Sequence, residues 1–207
     1  MSDSLQLIKQ LREITGAGML DCKKYLEKAN NNLDDAVKLF RSESGKKAEK
    51  KGSRIAAEGI VNFYEDSKSL LVLELNSETD FVAKDDNFIS LAKDLSYHLL
   101  NNSEEECKDS ITEMINSTIS KLGENIKLRR YFKIAKNNNV YGYSHNNKIV
   151  SMVELMEADE DLAKDICMQI VASNPLAIDE ASIDPEVIKS EKDIYKQELD
   201  KLDKKED

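Results

Sequence analysis

A chain of 207 residues with 40% hydrophobic residues can fill one or two modest cores. With 34% charged residues, no Trp, only two Pro and no apolar run near the ~20 residues needed to span a bilayer, the composition excludes a membrane protein and fits a soluble, cytoplasmic, helix-rich one. The net charge of -10 is uneven: residues 1–54 hold 12 Lys and Arg against 8 Asp and Glu, and the remainder 18 against 32. An acidic body argues against nucleic acid as the main partner, because phosphate binding relies on basic surface.

Residues 4–41 read as three short helices. Leu5, Ile8, Leu11 and Arg12 lie along the first, which stops at Thr15-Gly16-Ala17-Gly18, where two glycines free the backbone to turn. The second runs from Met19 to Ala29 with Met19, Cys22, Tyr25 and Leu26 inward. After Asn30-Asn31-Asn32, the third turns Leu33, Ala36, Val37 and Phe40 inward. Residues 1–43 thus form a helical module, small enough to be marginal alone. Its Gly-Ala-Gly-Met turn is either a docking surface or a tight interhelical turn, and composition does not decide. Residues 44–59, with Gly45, Gly52 and Gly59 among Lys46, Lys47, Lys50, Lys51 and Arg54, read as a charged linker of partly helical character, solvated rather than bound to RNA.

Residues 60–139 form a first unit. A strand over Ile60 to Tyr64 pairs with a second over Leu70 to Leu75, whose Leu71, Leu73 and Leu75 share one face. The connection Asn76 to Lys84 leads to a helix with Phe88, Leu91, Ala92, Leu95 and Leu99 on one side, and Asp85, Asp86 and Asn87 supply its cap. Glu104 to Leu122 offers a further helix with Ile111, Met114, Ile115, Thr118, Ile119 and Leu122 apolar. Ile126 to Ile134 reads as a strand by alternation, with Ile126, Leu128, Phe132 and Ile134 on one face and Lys127, Arg129, Tyr131 and Lys133 on the other; Arg130 interrupts the apolar face.

Residues 140–184 repeat the plan of strand, turn, strand and helix. Leu73-Glu74-Leu75 corresponds to Val153-Glu154-Leu155, and Leu91-Ala92-Lys93-Asp94 to Leu162-Ala163-Lys164-Asp165. The first copy has nine more residues between these landmarks, and they include Thr79-Asp80-Phe81-Val82. Since the short connection suffices to build the unit, the long one is expected to serve something other than folding. Asp184 caps and Pro185 opens a last helix over 185–207. Ile188, Tyr195 and Leu202 repeat there every seven residues, a weak start of a coiled coil, before a charged tail from Asp203.

Enzyme signatures are poor. The two histidines, His98 and His145, lack the context of a catalytic base, and no phosphate loop, HExxH or nucleophile elbow occurs. Glu78, Asp80, Asp85 and Asp86 imitate a magnesium site without the spacing of a calcium loop. Cys22, Cys107 and Cys167 show no CxxC pattern and read as reduced, packed thiols. Phe81 is either an apolar wedge for a partner or a side chain folded onto its own core.

Three motifs resemble one family. Leu11-Arg12-Glu13-Ile14-Thr15-Gly16-Ala17-Gly18-Met19-Leu20-Asp21-Cys22-Lys23-Lys24, Glu78-Thr79-Asp80-Phe81-Val82-Ala83-Lys84 and Gly123-Glu124-Asn125-Ile126-Lys127-Leu128-Arg129-Arg130 are similar, in this order, to the signatures of translation elongation factor Ts. The resemblance implies an α+β protein: a ubiquitin-associated-like three-helix module, a linker, a core of two repeated β-hairpin-plus-helix units and the start of a long C-terminal helix. It implies guanine nucleotide exchange on elongation factor Tu, bound as its GDP complex and nucleotide-free. No covalent chemistry, cofactor, metal, nucleic acid, membrane or small-molecule substrate is implied. Leu11, Arg12, Thr15, Gly16, Ala17, Gly18, Met19, Asp21, Cys22 and Lys23 would dock the module, and Thr79, Asp80, Phe81 and Val82 would dislodge the partner's magnesium. Many members continue past the position of Leu202 through a hairpin of long helices, a closing segment of the second repeat and a C-terminal helix. Against that pattern the chain is expected to be a truncated or a naturally short form.

Overall fold

The structure is a computed structural model and describes residues 2–136, 139–157 and 159–203. Helices α1 (Ser2–Thr15), α2 (Met19–Lys28) and α3 (Leu33–Lys51) form the N-terminal module. Leu11, Cys22, Leu26 and Ala36 fill its core, and Tyr25 meets Phe40 edge to face at 5.7 Å, the arrangement that ring quadrupoles favour. The turn from α2 to α3 is possible because Asn30 and Asn31 take left-handed backbone, φ 51° and 60°, which Asn tolerates better than most residues. Asn32 then caps α3, its side chain accepting from the Asp35 N–H at 3.1 Å.

The core is built on an antiparallel sheet in the order β1 (Glu58–Glu65), β2 (Ser69–Ser77), β3 (Lys127–Ala135). On its inner face the fully buried Leu71, Leu73 and Leu75 meet α5 (Asp86–Asn101) through Phe88, Leu91, Ala92 and Leu95. Burying each such side chain contributes about 1.5–3 kcal/mol, so this sheet-on-helix contact dominates the stability of the core. Helix α6 (Glu104–Leu122) closes the layer with Ile119 and starts from a capping box between Ser103 and Glu106. The second unit is the hairpin β4 (Val140–His145) and β5 (Ile149–Glu154) with α7 (Glu160–Ser173) packed on it through Ala163 and Cys167. This hairpin packs on the β1 side of the first sheet: Gly142 lies against the Phe63 ring on the outer face, and at the free edge of β1 the Asn147 carbonyl accepts from the Val61 N–H at 2.8 Å. Helix α8 (Pro185–Asp203) follows, with the Asp184 side chain accepting from the Glu186 N–H at 2.9 Å. The charged tail is expected from Asp203; Asp203 is the last residue of α8, and residues 204–207 lie outside the described residues.

Four expectations are corrected. Met19 is 49% exposed, because it opens α2 and only Cys22, Tyr25 and Leu26 of that helix face inward. Helix α3 runs to Lys51, through the first part of the expected linker 44–59. The reason is a stripe of small residues four apart: Ser44 and Ala48 continue the buried face begun by Phe40, and the helix packs on α6. The nine extra residues of the first unit are not all loop either; they lengthen β2, add turns of helix and only in part form the connection.

The fourth correction concerns β3. Its alternation is broken by a bulge opposite Glu74 and Leu75, where Arg130 pairs with Glu74 but Leu128 with Leu75, leaving Arg129 unpaired in the ladder. One extra residue flips every side chain beyond it to the other face. Leu128 and Tyr131 therefore pack on the inner core, whereas Phe132 and Ile134, expected beside Leu128, are 55% and 40% exposed on the outer side. Arg130 no longer interrupts an apolar face: its Nε donates to Glu74 Oε2 at 2.7 Å, and Arg129 Nε lies 3.6 Å from Oε1 of the same carboxylate. Lys133, now on the inner side, donates to the carbonyls of Leu99 and Leu100 at 3.0 and 2.7 Å, completing the C-terminal end of α5.

Candidate functional site

Strand β2 ends at Ser77, and the chain turns through Glu78 and Thr79 into α4 (Asp80–Ala83), a helical turn of four residues. So short a helix has no cooperative stability of its own and must be held from outside. Thr79 is its N-cap, the hydroxyl accepting from the Val82 N–H at 3.3 Å. The same hydroxyl donates to Glu124 Oε1 at 2.7 Å, while the Thr79 N–H donates to Glu124 Oε2 at 3.0 Å, so one carboxylate 45 positions away grips Thr79 with both oxygens. The Thr79 carbonyl accepts from Ser77 Oγ at 2.9 Å and from the Ala83 N–H at 3.2 Å. Every polar group of Thr79 is thereby partnered within the chain.

Glu78 is tied to the same segment. Its Oε1 accepts from the Asn125 N–H at 2.6 Å and lies 3.5 Å from Arg54 Nη1, and Asn125 Nδ2 donates to the Arg54 carbonyl at 2.7 Å. Gly123, with φ 80°, is the left-handed C-cap that ends α6 and turns the chain into Glu124. Its carbonyl accepts from Lys51 Nζ. Three segments far apart in sequence, the end of α3 with Arg54, the pair Glu78-Thr79, and Gly123-Glu124-Asn125, therefore meet at the root of α4.

The four residues expected to act on the partner's metal divide by orientation. Val82 packs against the core and Thr79 is the pivot just described, whereas Phe81 is 81% exposed. Asp80 is half-buried, its Oδ2 2.8 Å from Lys84 Nζ one helical turn on. The hydrogen bond and charge of that ammonium hold the Asp80 carboxyl below the usual carboxylate range and raise Lys84 above the ordinary lysine range. Asp80 is accordingly ionised at neutral pH. Of the carboxylates that imitate a magnesium site, Asp85 instead caps α5 through the Asn87 N–H at 2.8 Å. Among the described residues no group of three or more His, Cys, Asp or Glu is placed to hold a metal ion.

The expected docking residues also divide. Leu11, Thr15, Ala17 and Cys22 are buried inside the module and do not form surface. They shape the turn: Thr15 Oγ1 donates to the Leu11 carbonyl at 2.6 Å and accepts from the Ala17 N–H at 3.3 Å, and Gly16 takes φ 65°. Arg12, Gly16, Gly18, Met19 and Lys23 are exposed and Asp21 is half-buried. Sequence reasoning missed the two most prominent apolar side chains of this turn, Ile14 at 56% and Leu20 at 76% exposure. Apolar residues out of step with the core-facing period of α1 and α2 were the available signal. His98 lies edge-on to Tyr97 at 6.2 Å, and His145 shares a hydrogen bond with the Tyr143 hydroxyl at 3.1 Å. Cys22, Cys107 and Cys167 are free and buried.

Fold and site together define a two-module α+β protein, in which a small helical bundle continues through its last helix into a core that holds the side chain of Phe81 out in solvent. Comparison with known proteins agrees with that division. Residues 2–47 match the family described as UBA-like domain, and residues 78–207 match the family described as Elongation factor TS. Elongation factor Ts of Halothermothrix orenii is 41% identical over 218 residues, spanning 96% of this chain and 73% of that protein. That of Alkalilimnicola ehrlichii is 41% identical over 206 residues, spanning 94% and 70%, and that of Nitratiruptor sp. is 39% identical over 222 residues, spanning 97% and 73%. The chain belongs to the elongation factor Ts family.

Proposed function

We propose that the chain is a guanine nucleotide exchange factor for elongation factor Tu: it binds the GDP complex, promotes GDP release by disturbing the magnesium and nucleotide site, and leaves a nucleotide-free complex open to GTP. The observation that carries this reading is Phe81, an aromatic side chain in solvent on a turn whose N-cap, Thr79, is held by internal hydrogen bonds. Keeping Phe81 out of its own core is costly in apolar exposure, and insertion into a partner would recover about 1.5–3 kcal/mol. Phe81 is the wedge. Asp80, ionised beside it, is the polar element that competes for the metal's surroundings, while Thr79 and Val82 anchor the turn. Arg12, Gly16, Gly18, Met19, Leu20 and Lys23 form the docking face of the N-terminal module, with Asp21 at its edge.

Magnesium bridges and neutralises the phosphates in such GTPases, so displacing it weakens nucleotide binding. Factor and nucleotide then weaken each other reciprocally, with couplings typically of ~1–3 kcal/mol. The chain makes and breaks no covalent bond in this scheme and needs no cofactor of its own. Its place of action is the cytoplasm; no helix among the described residues is long and apolar enough to cross a membrane. Its partner is a protein rather than nucleic acid, in keeping with a net charge of -10.

The test is release of fluorescent GDP from purified elongation factor Tu, with and without the chain. Acceleration by the intact chain, with Asp80→Ala and Phe81→Ala variants that still bind but accelerate less, is the expected result. Binding without acceleration, or full acceleration by Phe81→Ala, overturns the reading.

A further inference from the structure

We infer that Glu124 is the positioning residue of the wedge: by clamping the Thr79 N–H and hydroxyl with its two carboxylate oxygens, it fixes the direction in which Phe81 is presented. The functional half of this inference rests on the exchange reading above. Glu124 reaches α4 through its two hydrogen bonds to the N-cap, Thr79.

The geometry supports a positioning role in three ways. The clamp is bidentate on a single residue, which fixes orientation as well as distance. Its two targets are the backbone donor and the capping side chain of a helical turn too short to persist unaided. Its own base is rigid, because Gly123 and Asn125 on either side of Glu124 are held by Lys51 and by Glu78 with Arg54. The outcome is an aromatic side chain that is 81% exposed yet rooted beside Thr79, whose polar groups are all hydrogen-bonded. Exposure alone would leave it to sample many directions. The same junction receives Lys51, the last residue of α3, so the docking module and the wedge share one anchor.

Without the clamp, α4 is formed in only a fraction of molecules. Docking through the N-terminal module continues, but the step that follows it is slowed by that fraction. The experiment measures GDP release from elongation factor Tu against concentration of the chain for wild type, Glu124→Ala, Glu124→Gln, Phe81→Ala and the double variant Glu124→Ala/Phe81→Ala. Glu124→Ala should lower the maximal rate about tenfold to a hundredfold, the loss expected for hydrogen bonds to a charged group, with little change in the half-saturating concentration. Glu124→Gln, which keeps one acceptor oxygen, should fall between and carries the test if the alanine variant does not fold. The double variant should be no slower than Phe81→Ala alone, because Glu124 works through Phe81. Additive losses, or a change confined to the half-saturating concentration, overturn the inference.

A second readout does not depend on exchange. The chain contains no Trp, so Phe81→Trp places a single indole on α4. Its fluorescence anisotropy should drop when Glu124→Ala or Glu124→Gln is added, at unchanged far-ultraviolet circular dichroism. Unchanged anisotropy overturns the clamp even if the chain proves inactive in exchange, and lowered anisotropy in an inactive chain retains the clamp while the exchange reading falls.

Discussion

Gly59→Ala should be among the most destabilising single-methyl additions in this chain. Gly59 lies in β1 opposite Asn76 with φ 142°, a region closed to residues with a side chain. A Cβ there would stand 2.1 Å from the Leu75 carbonyl oxygen and 2.7 Å from Asn76 Cα, both backbone atoms of the neighbouring strand that cannot swing aside. Relief requires either a changed φ or a parting of β1 from β2. The backbone conformation alone costs about 1–3 kcal/mol. Parting the strands weakens ladder bonds at about 0.5–1.5 kcal/mol each, and it disturbs the Asn76 Nδ2 bond to the Glu58 carbonyl at 3.0 Å. Together these give a loss of roughly 3–5 kcal/mol, a large part of the roughly 5–15 kcal/mol that holds a typical protein folded. At about 2–4 °C per kcal/mol for a chain of this size, thermal unfolding followed by circular dichroism should begin roughly 6–20 °C lower. A midpoint within ~2 °C of wild type would refute the argument, since it would mean that the strand accommodates a methyl group against backbone.

The opposite sign is expected for Gly45→Ala, because Gly45 lies inside α3 with its nearest neighbour, Asn116 Nδ2, 3.9 Å from the added methyl. Replacing an interior helical Gly by Ala should stabilise by about 0.5–1 kcal/mol and raise the melting temperature by a few degrees, whereas an unstructured linker would give no change. A pH effect is expected at Tyr25, whose phenol is pushed up to about 12 by burial and by the neighbouring Glu43 carboxylate. The folded state then holds the phenolic proton more tightly than the unfolded chain, so this contribution is complete below pH ~10 and is lost between about pH 10 and 12, at about 1.4 kcal/mol per pH unit. The difference in phenolate absorbance between wild type and Tyr25→Phe during an alkaline titration checks it: a step near pH 10 in the folded protein would contradict the burial argument.

Much of the site was legible in the sequence as composition but not as geometry. Thr79-Asp80-Phe81-Val82 stands out because the second unit closes the same connection without it, and Glu78, Thr79 and Glu124 all lie in motifs that can be picked out by eye. Which of them faces out was not legible. Thr79 and Val82 turn in because one caps α4 and the other packs on the core, and neither role follows from local periodicity in so short an element. The docking segment behaved likewise. Its signature residues Leu11, Thr15, Ala17 and Cys22 are those that build the turn, while the apolar surface is carried by Ile14, Met19 and Leu20.

By itself the sequence determined what short-range physics determines. The 3.6-residue period of α5, the two-residue period of β2, the Asp85 and Asp184 caps and the repeated hairpin-plus-helix plan are written in neighbours a few positions apart. Only the tertiary structure decided the rest. The bulge at Arg129 reverses the faces of β3, which brings Leu128 and Tyr131 onto the inner core and leaves both arginines beside Glu74 of the adjacent strand. Residues with the composition of a linker became helix because α6 offers a surface on which Ser44 and Ala48 can be buried. Glu124 found Thr79 across 45 positions because a left-handed glycine at the end of α6 aims it there. In each case the energy comes from a contact between segments distant in the chain, and no window of local sequence contains both partners.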